Sequence, residues 1–219
     1  MVLNVTTTAY DALRNYIEST SEVSAALAGA RAHAEEYGLP VPDEPTGQLL
    51  STLAAASSIP GERCQAVAIT PAASVVGLYL LSGLSENGIL TCIDPEVEHQ
   101  QSAKKAFREA GFPASRGRFL PARPLEVMGR LAADSYQVIY ADVPALDMPA
   151  LIKASWPLLR QSGTLVMANS LLDGTLGDTS RSDRDTASAR EADEYVRGID
   201  NAVVTRLPLG SGLTLVTKR

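Results

Sequence analysis

Basic residues, cysteine, histidine and aromatics are all scarce in this 219-residue chain, and each shortage argues against a class of function. Lys and Arg total 19 against 25 Asp and Glu, a formal charge of −6, which argues against a phosphate-backbone footprint and against an anionic membrane surface. Nucleic acid and membrane are therefore not expected partners. The two cysteines, Cys64 and Cys92, lie beside or inside predicted buried strands and read as small reduced core residues. His33 and His99 fall on helices with polar neighbours, where a solvated face is expected rather than a histidine-rich metal centre. No run reaches the roughly eighteen apolar residues of a membrane span. The opening MVLNVTTTAY lacks a basic stretch followed by an apolar one, so the expected location is cytoplasmic. A G-x-G-x-x-G fingerprint is missing too, which disfavours a nicotinamide-dependent oxidoreductase.

What is present is ordinary globular composition, 45% hydrophobic and 20% charged, at a length that one α/β domain accounts for. The expected organisation is a single domain over 1–219, with an N-terminal helical part over 1–56 and an α/β core over 63–219. The chain is organised around residues 66–94, AVAITPAASVVGLYLLSGLSENGILTCID. This stretch reads as strand, small-residue turn, helix and second strand closed by Asp94, the first half of a nucleotide-binding βαβ unit.

Around it, the pattern predicts helices over 8–19, 22–37 and 47–56, the last reached through the proline-rich loop LPVPDEPTGQ. Strands are predicted over 64–70, 89–93, 118–120, 137–141 and 164–168, alternating with helices over 75–84, 95–110, 125–132 and 148–159. A charged helix over 186–197 and a hairpin of AVVTRLPL and LTLVTK joined by GSG close the chain. The predicted fold is a doubly wound, mostly parallel seven-stranded sheet ending in an antiparallel hairpin.

Open parallel sheets bind ligands outside the carboxyl ends of their strands, near the point where strand order reverses. Those ends carry Thr70 to Ser74, Asp94, Pro121 to Pro124, Asp142 and Asn169. Asp94 is the sharpest feature, because one carboxylate offers two oxygens to the vicinal diol of a ribose. Its competing role is that of a helix cap ahead of Pro95 and Glu96. Asp142 and Asn169 offer two oxygen ligands from adjacent strands, enough to begin a Mg²⁺ or Ca²⁺ site but not to complete one; the competing readings are a solvated loop Asp and a turn Asn.

The N-terminal helices, CID closing strand two, VIYAD, WPLLRQSGTLVMAN and the terminal RLPLGSGLTLVTK together resemble the cation-dependent O-methyltransferases of the catechol and caffeoyl-CoA type, over about residues 40–219. The resemblance implies S-adenosylmethionine as cosubstrate, a small-molecule methyl acceptor and a homodimer. It places Gly47, with Gln48, at a helix start closing over the cofactor. Ala68, Thr70, Ser74 and Val76 fall along the first turn and helix. Asp94 falls at the ribose with Pro95 after it, Arg123 and Pro124 in the ARPLE segment along the adenine, and Asp142, at the end of strand four, is counted among the cofactor-binding residues. The family's acid and two glycines are replaced by Ala68, Thr70 and Ser74, so side chains are expected where the cofactor passes.

The resemblance also puts a divalent cation, Mg²⁺, on Asp142 and Asn169, one carboxylate short because Ala168 holds the middle position. Ala145 replaces the family lysine that deprotonates the acceptor, and Pro144 a second Asp. Asp147 and Asp173 are left as candidate bases, and the catalytic residue is unknown. The function implied is O-methylation of a small-molecule hydroxyl. The alternative is a catalytically impaired descendant with a ligand-binding or regulatory role.

Overall fold

A computed structural model describes residues 8–59 and 61–219; the reading of the first seven residues as free of an export signal lies outside them. Three helices come first, α1 (Ala9–Thr20), α2 (Ala25–Glu36) and α3 (Glu44–Ala56). Each is started by a side-chain oxygen that meets an otherwise unpaired amide: Thr8 accepts from Asp11 N, Ser24 from Leu27 N and Asp43 from Thr46 N. The predicted 47–56 helix thus begins one turn early. Pro45 sits in its first turn, where a missing N–H costs nothing, and the proline-rich loop is shorter than expected.

The core follows as β1 (Gln65–Ile69), α4 (Ala73–Gly83), β2 (Ile89–Ile93), α5 (Val97–Glu109), β3 (Gly117–Leu120), α6 (Pro124–Val127), β4 (Tyr136–Ala141), α7 (Met148–Ser155), β5 (Leu159–Met167), α8 (Arg184–Arg197), β6 (Ala202–Leu207) and β7 (Leu213–Lys218). Four expected helices are shorter than read, among them 22–37, which is 25–36, and 95–110, which starts at Val97 after Pro95 and Glu96. The 125–132 helix is the single turn α6 followed by a 3₁₀ turn, and the 148–159 helix ends at Ser155, where Pro157 sits in a 3₁₀ turn and cannot donate to the ladder. Strand five starts earlier than expected because Leu159 pairs with Tyr136 across a register shift.

The seven strands lie in the order β3-β2-β1-β4-β5-β7-β6, with β1 to β5 parallel and β7 antiparallel to both neighbours. Chain order reverses between β1 and β4, which places the ligand crevice at their carboxyl ends. Both faces of the sheet are covered, which is why the central strands are apolar without alternation. Ala66, Ala68, Val138, Tyr140 and Val166 pack towards α2 to α5, while Val67, Ile69, Ile139 and Ala141 pack towards α7 and α8. Among the described residues no helix is long and apolar enough to cross a membrane. Cys64 and Cys92 are buried and unbridged.

The N-terminal helices are tied to the core by a buried polar triad. Glu44 Oε2 accepts from Arg31 Nη2 and from the Tyr79 hydroxyl, each at 2.7 Å, and Gln48 donates to Glu44 Oε1. Burial by itself would raise the Glu44 carboxyl, but hydrogen bonds from Tyr79, Arg31 and Gln48 outweigh it and hold the group below the usual glutamate range. A depressed carboxyl contributes stability that is complete above its unfolded value, near 4.3, and is lost as pH falls through the lower folded value. Glu44→Gln is therefore expected to cost roughly 1.5–3 kcal/mol at neutral pH. Thermal melts from pH 7 to pH 3 should show a shallower acid limb than the wild type; parallel limbs would contradict the assignment.

Candidate functional site

The turn from β1 into α4 is built without glycine, and its geometry shows why that is tolerated. No residue from Thr70 to Ser74 has positive φ, so the backbone path does not call for glycine. Thr70 Oγ1 turns back to accept from Ala72 N at 3.2 Å, and Thr70 and Ser74 are 2% and 3% exposed. The Thr70 side chain thus folds back into its own turn, and Ser74 is buried. Ala68 and Val76 are wholly buried among the core residues facing α2 to α5.

Asp94 follows the last residue of β2. Its Oδ1 accepts from Glu96 N at 2.7 Å and lies 3.0 Å from His99 Nδ1, while Gln100 donates to its backbone carbonyl. The helix cap weighed from sequence does not form: the N-cap of α5 is Glu96, without a side-chain cap bond, and Asp94 closes the turn just before it, using one oxygen. Oδ2 accepts from no described residue and remains available to a ligand diol. His99, expected on a solvated helix face, is instead the side chain that holds this carboxylate. Pro95 and Arg123 are exposed, and Pro124 is half-buried at the first turn of α6.

Gly47 serves packing. It lies inside α3 rather than at its start, and a Cβ there would stand 2.3 Å from the Tyr79 ring. The same pair of helices meets again at Gly83, where a Cβ would stand 2.1 Å from the Ser51 carbonyl oxygen.

Asp142 and Asn169 do converge. Asp142 N continues the ladder to Ile69 O, and Asn169, at φ +53° in the left-handed region that asparagine tolerates, donates Nδ2 to Asp142 Oδ1 at 3.1 Å. Burial raises the Asp142 carboxyl above its usual range, partly offset by that bond. Both residues line a cavity of about 40 Å³ with Asp43, Tyr140, Ala168 and Gly210. Asp147 and Asp173, the candidate bases from sequence, are exposed and do not line it, and Ala145 is buried. Two large grooves, about 730 and 750 Å³, lie among α1 to α5 and include no strand-end residue.

The sequence reading missed Asp43 and Tyr140. Asp43 was legible as the cap in DEPT, and Tyr140 by its i, i+2 relation to Asp142, which puts both on one face of β4.

Residues 64–219 match the O-methyltransferase family. The chain belongs to that family. A family member from Mycolicibacterium vanbaalenii, named as a candidate O-methyltransferase, is 37% identical over 203 residues, covering 93% of this chain and 88% of the relative. A crystal structure of a Corynebacterium glutamicum protein is 59% identical, covers 96% of this chain and 97% of that one, and superposes with a TM-score of 0.93. The O-methyltransferase TomG of Streptomyces achromogenes, involved in tomaymycin synthesis and solved in complex with S-adenosylmethionine, shares the fold at 23% identity and a TM-score of 0.83, over 94% of this chain and 96% of TomG. The family match spans β1 to β7, so the sheet, the reversal point, Asp94 and the Asp142–Asn169 pair all lie within it, whereas α1 to α3 and Asp43 precede it.

Proposed function

We propose that this family member is an S-adenosylmethionine-dependent O-methyltransferase acting on a hydroxyl of a small molecule. The observation that carries the reading is Asp94. A carboxylate with one oxygen held by the turn before α5 and by His99, and the other without a partner among the described residues, stands at the end of the strand next to the reversal point. That is the arrangement a ribose diol requires. Structures with this fold are described in complex with the methyl donor or with its demethylated product, S-adenosylhomocysteine.

When bound, the donor supplies an electrophilic methyl group. This chain's residues then have separate tasks: Asp94 takes the ribose, Pro95, Arg123 and Pro124 border the base, Thr70 to Ser74 form the floor, and the Asp142 cavity receives the acceptor. The reading also carries a homodimer, for which Leu13 and Tyr16, 63% and 68% exposed on α1, offer an apolar surface. It carries a cytoplasmic location as well, in keeping with two unbridged buried cysteines.

Thermal melts with S-adenosylhomocysteine test the reading. Ligand at 100 times its dissociation constant adds about 2.7 kcal/mol, or about 5–11 °C for a chain of this size. An unchanged Tm at millimolar ligand, or stabilisation by NADH instead, would remove the proposal.

A further inference from the structure

The donor set at the β4 and β5 ends does not fit the cation that the family resemblance implies. Ala168 contributes no oxygen. The Asn169 carbonyl oxygen accepts from Ser211 N at 3.4 Å, and its amide group points at Asp142 Oδ1. Flipping the amide would bring its N–H₂ against the Ser211 N–H, donor against donor, and would also give up the bond to Asp142, so the observed orientation is the favoured one. A cation at Asp142 Oδ1 would therefore meet N–H hydrogens, and the hard oxygen shell that Mg²⁺ requires is not assembled.

The same cavity contains a donor without an acceptor. Tyr140 is 1% exposed, lines the cavity, and makes no side-chain hydrogen bond among the described residues. A polar group on a cavity wall with no protein partner is free to pair with whatever enters that space. Asp43 faces the cavity from the start of α3, its Oδ2 held loosely by Gly210 N at 3.4 Å. The space, about 40 Å³, is close to the volume one water takes in the liquid, about 30 Å³. No Lys or Arg lines it.

A group that donates to a carboxylate and accepts from a phenol in so small a space is a hydroxyl. We propose that the cavity bounded by Asp43, Tyr140, Asp142 and Asn169 binds the acceptor's hydroxyl directly, without a divalent cation. The hydroxyl donates to Asp142 and accepts from Tyr140, and Asn169 acts as the positioning residue for Asp142. During methyl transfer the O–H proton passes to Asp142 as the O–C bond forms, and the S–C bond breaks with its electron pair left on sulfur. The inference rests on the methyltransferase reading but concerns a separate set of residues.

Two titrations of the full-length protein saturated with S-adenosylhomocysteine test it. In the first, Mn²⁺ alone is added and free Mn²⁺ is followed by electron paramagnetic resonance. The free signal is expected to match that of buffer, and stoichiometric uptake abolished by Asp142→Asn would overturn the proposal. In the second, catechol is the probe, because its paired oxygens would chelate any cation held there. Its affinity is expected to be equal in Mg²⁺ and in EDTA and about tenfold weaker in Tyr140→Phe, whose own Tm should stay at or above that of the wild type because the lost hydroxyl has no partner. Catechol binding that is absent, that requires Mg²⁺, or that is indifferent to Tyr140→Phe would overturn it. Failure of S-adenosylhomocysteine to bind would count against the donor site alone, since both titrations can be repeated without it.

Discussion

Asp94→Ala is expected to weaken S-adenosylhomocysteine about a hundredfold. Hydrogen bonds to a charged group are worth about 1.5–3 kcal/mol each, and the free Oδ2 together with the shared Oδ1 can serve both ribose hydroxyls. Losing about 2.7 kcal/mol of binding corresponds to that factor. At a concentration giving the wild type its 2.7 kcal/mol of stabilisation, the variant would retain only about 0.4 kcal/mol. The ligand-free variant should also lose about 1 kcal/mol, because Glu96 N loses its acceptor in the turn before α5 and His99 its partner. Asp94→Asn separates the two effects, since its amide oxygen can still accept from Glu96 N while the charge is gone. It should fold like the wild type and bind about tenfold more weakly. Wild-type affinity in Asp94→Ala, measured by calorimetry, would move the ribose site away from the end of β2.

The largest expected stability effect lies far from the site, at Arg116. This side chain is 9% exposed, and its guanidinium donates to four backbone carbonyls: Gly88 O from Nε, and Leu81 O, Leu84 O and Ser85 O from Nη2. It closes the C-terminal end of α4, where helix carbonyls lack intrahelical partners and a cation is favoured by the dipole. Phe112 covers it, with the guanidinium carbon 5.0 Å from the ring centroid. Burial lowers the group's affinity for its proton, but from so high a starting value that the charge is kept. Arg116→Ala would leave three buried carbonyls, Leu81 O, Leu84 O and Gly88 O, short of a donor, Ser85 O keeping that of Gly88 N, a loss of about 3–4 kcal/mol, or about 6–16 °C in Tm. Arg116→Lys should recover only part, because an ammonium cannot span the fork. A Tm within 2 °C of the wild type in Arg116→Ala would contradict this account.

Arg116 also marks a limit of sequence reading. Nothing in FPASRGRF distinguishes it from the exposed arginine two residues later. Its importance comes from the close approach of the β2–β3 crossover to the end of α4, which no local pattern encodes. The same holds for Gly47. The sequence placed it at a ligand-closing helix start, whereas its bare Cα is occupied by the Tyr79 ring across 32 residues of chain. His99 and Tyr140 read as polar-face and core residues, and each becomes specific only through the carboxylate folded beside it.

The sequence by itself determined the order of strands and helices, the terminal hairpin, the small-residue turn after β1 and the placing of Asp94, Asp142 and Asn169 at strand ends. These follow from hydrophobic period and from residue types at strand ends, both local properties of the chain. The tertiary structure alone decided what those residues face. It turned Thr70 into its own turn, left one Asp94 oxygen free, aimed the Asn169 amide at Asp142, and brought Asp43 and an unpartnered Tyr140 hydroxyl into one cavity. Direction and partnership depend on contacts between segments distant in the chain, and hydrogen-bond chemistry is set by which atom points where, a property no single residue type carries.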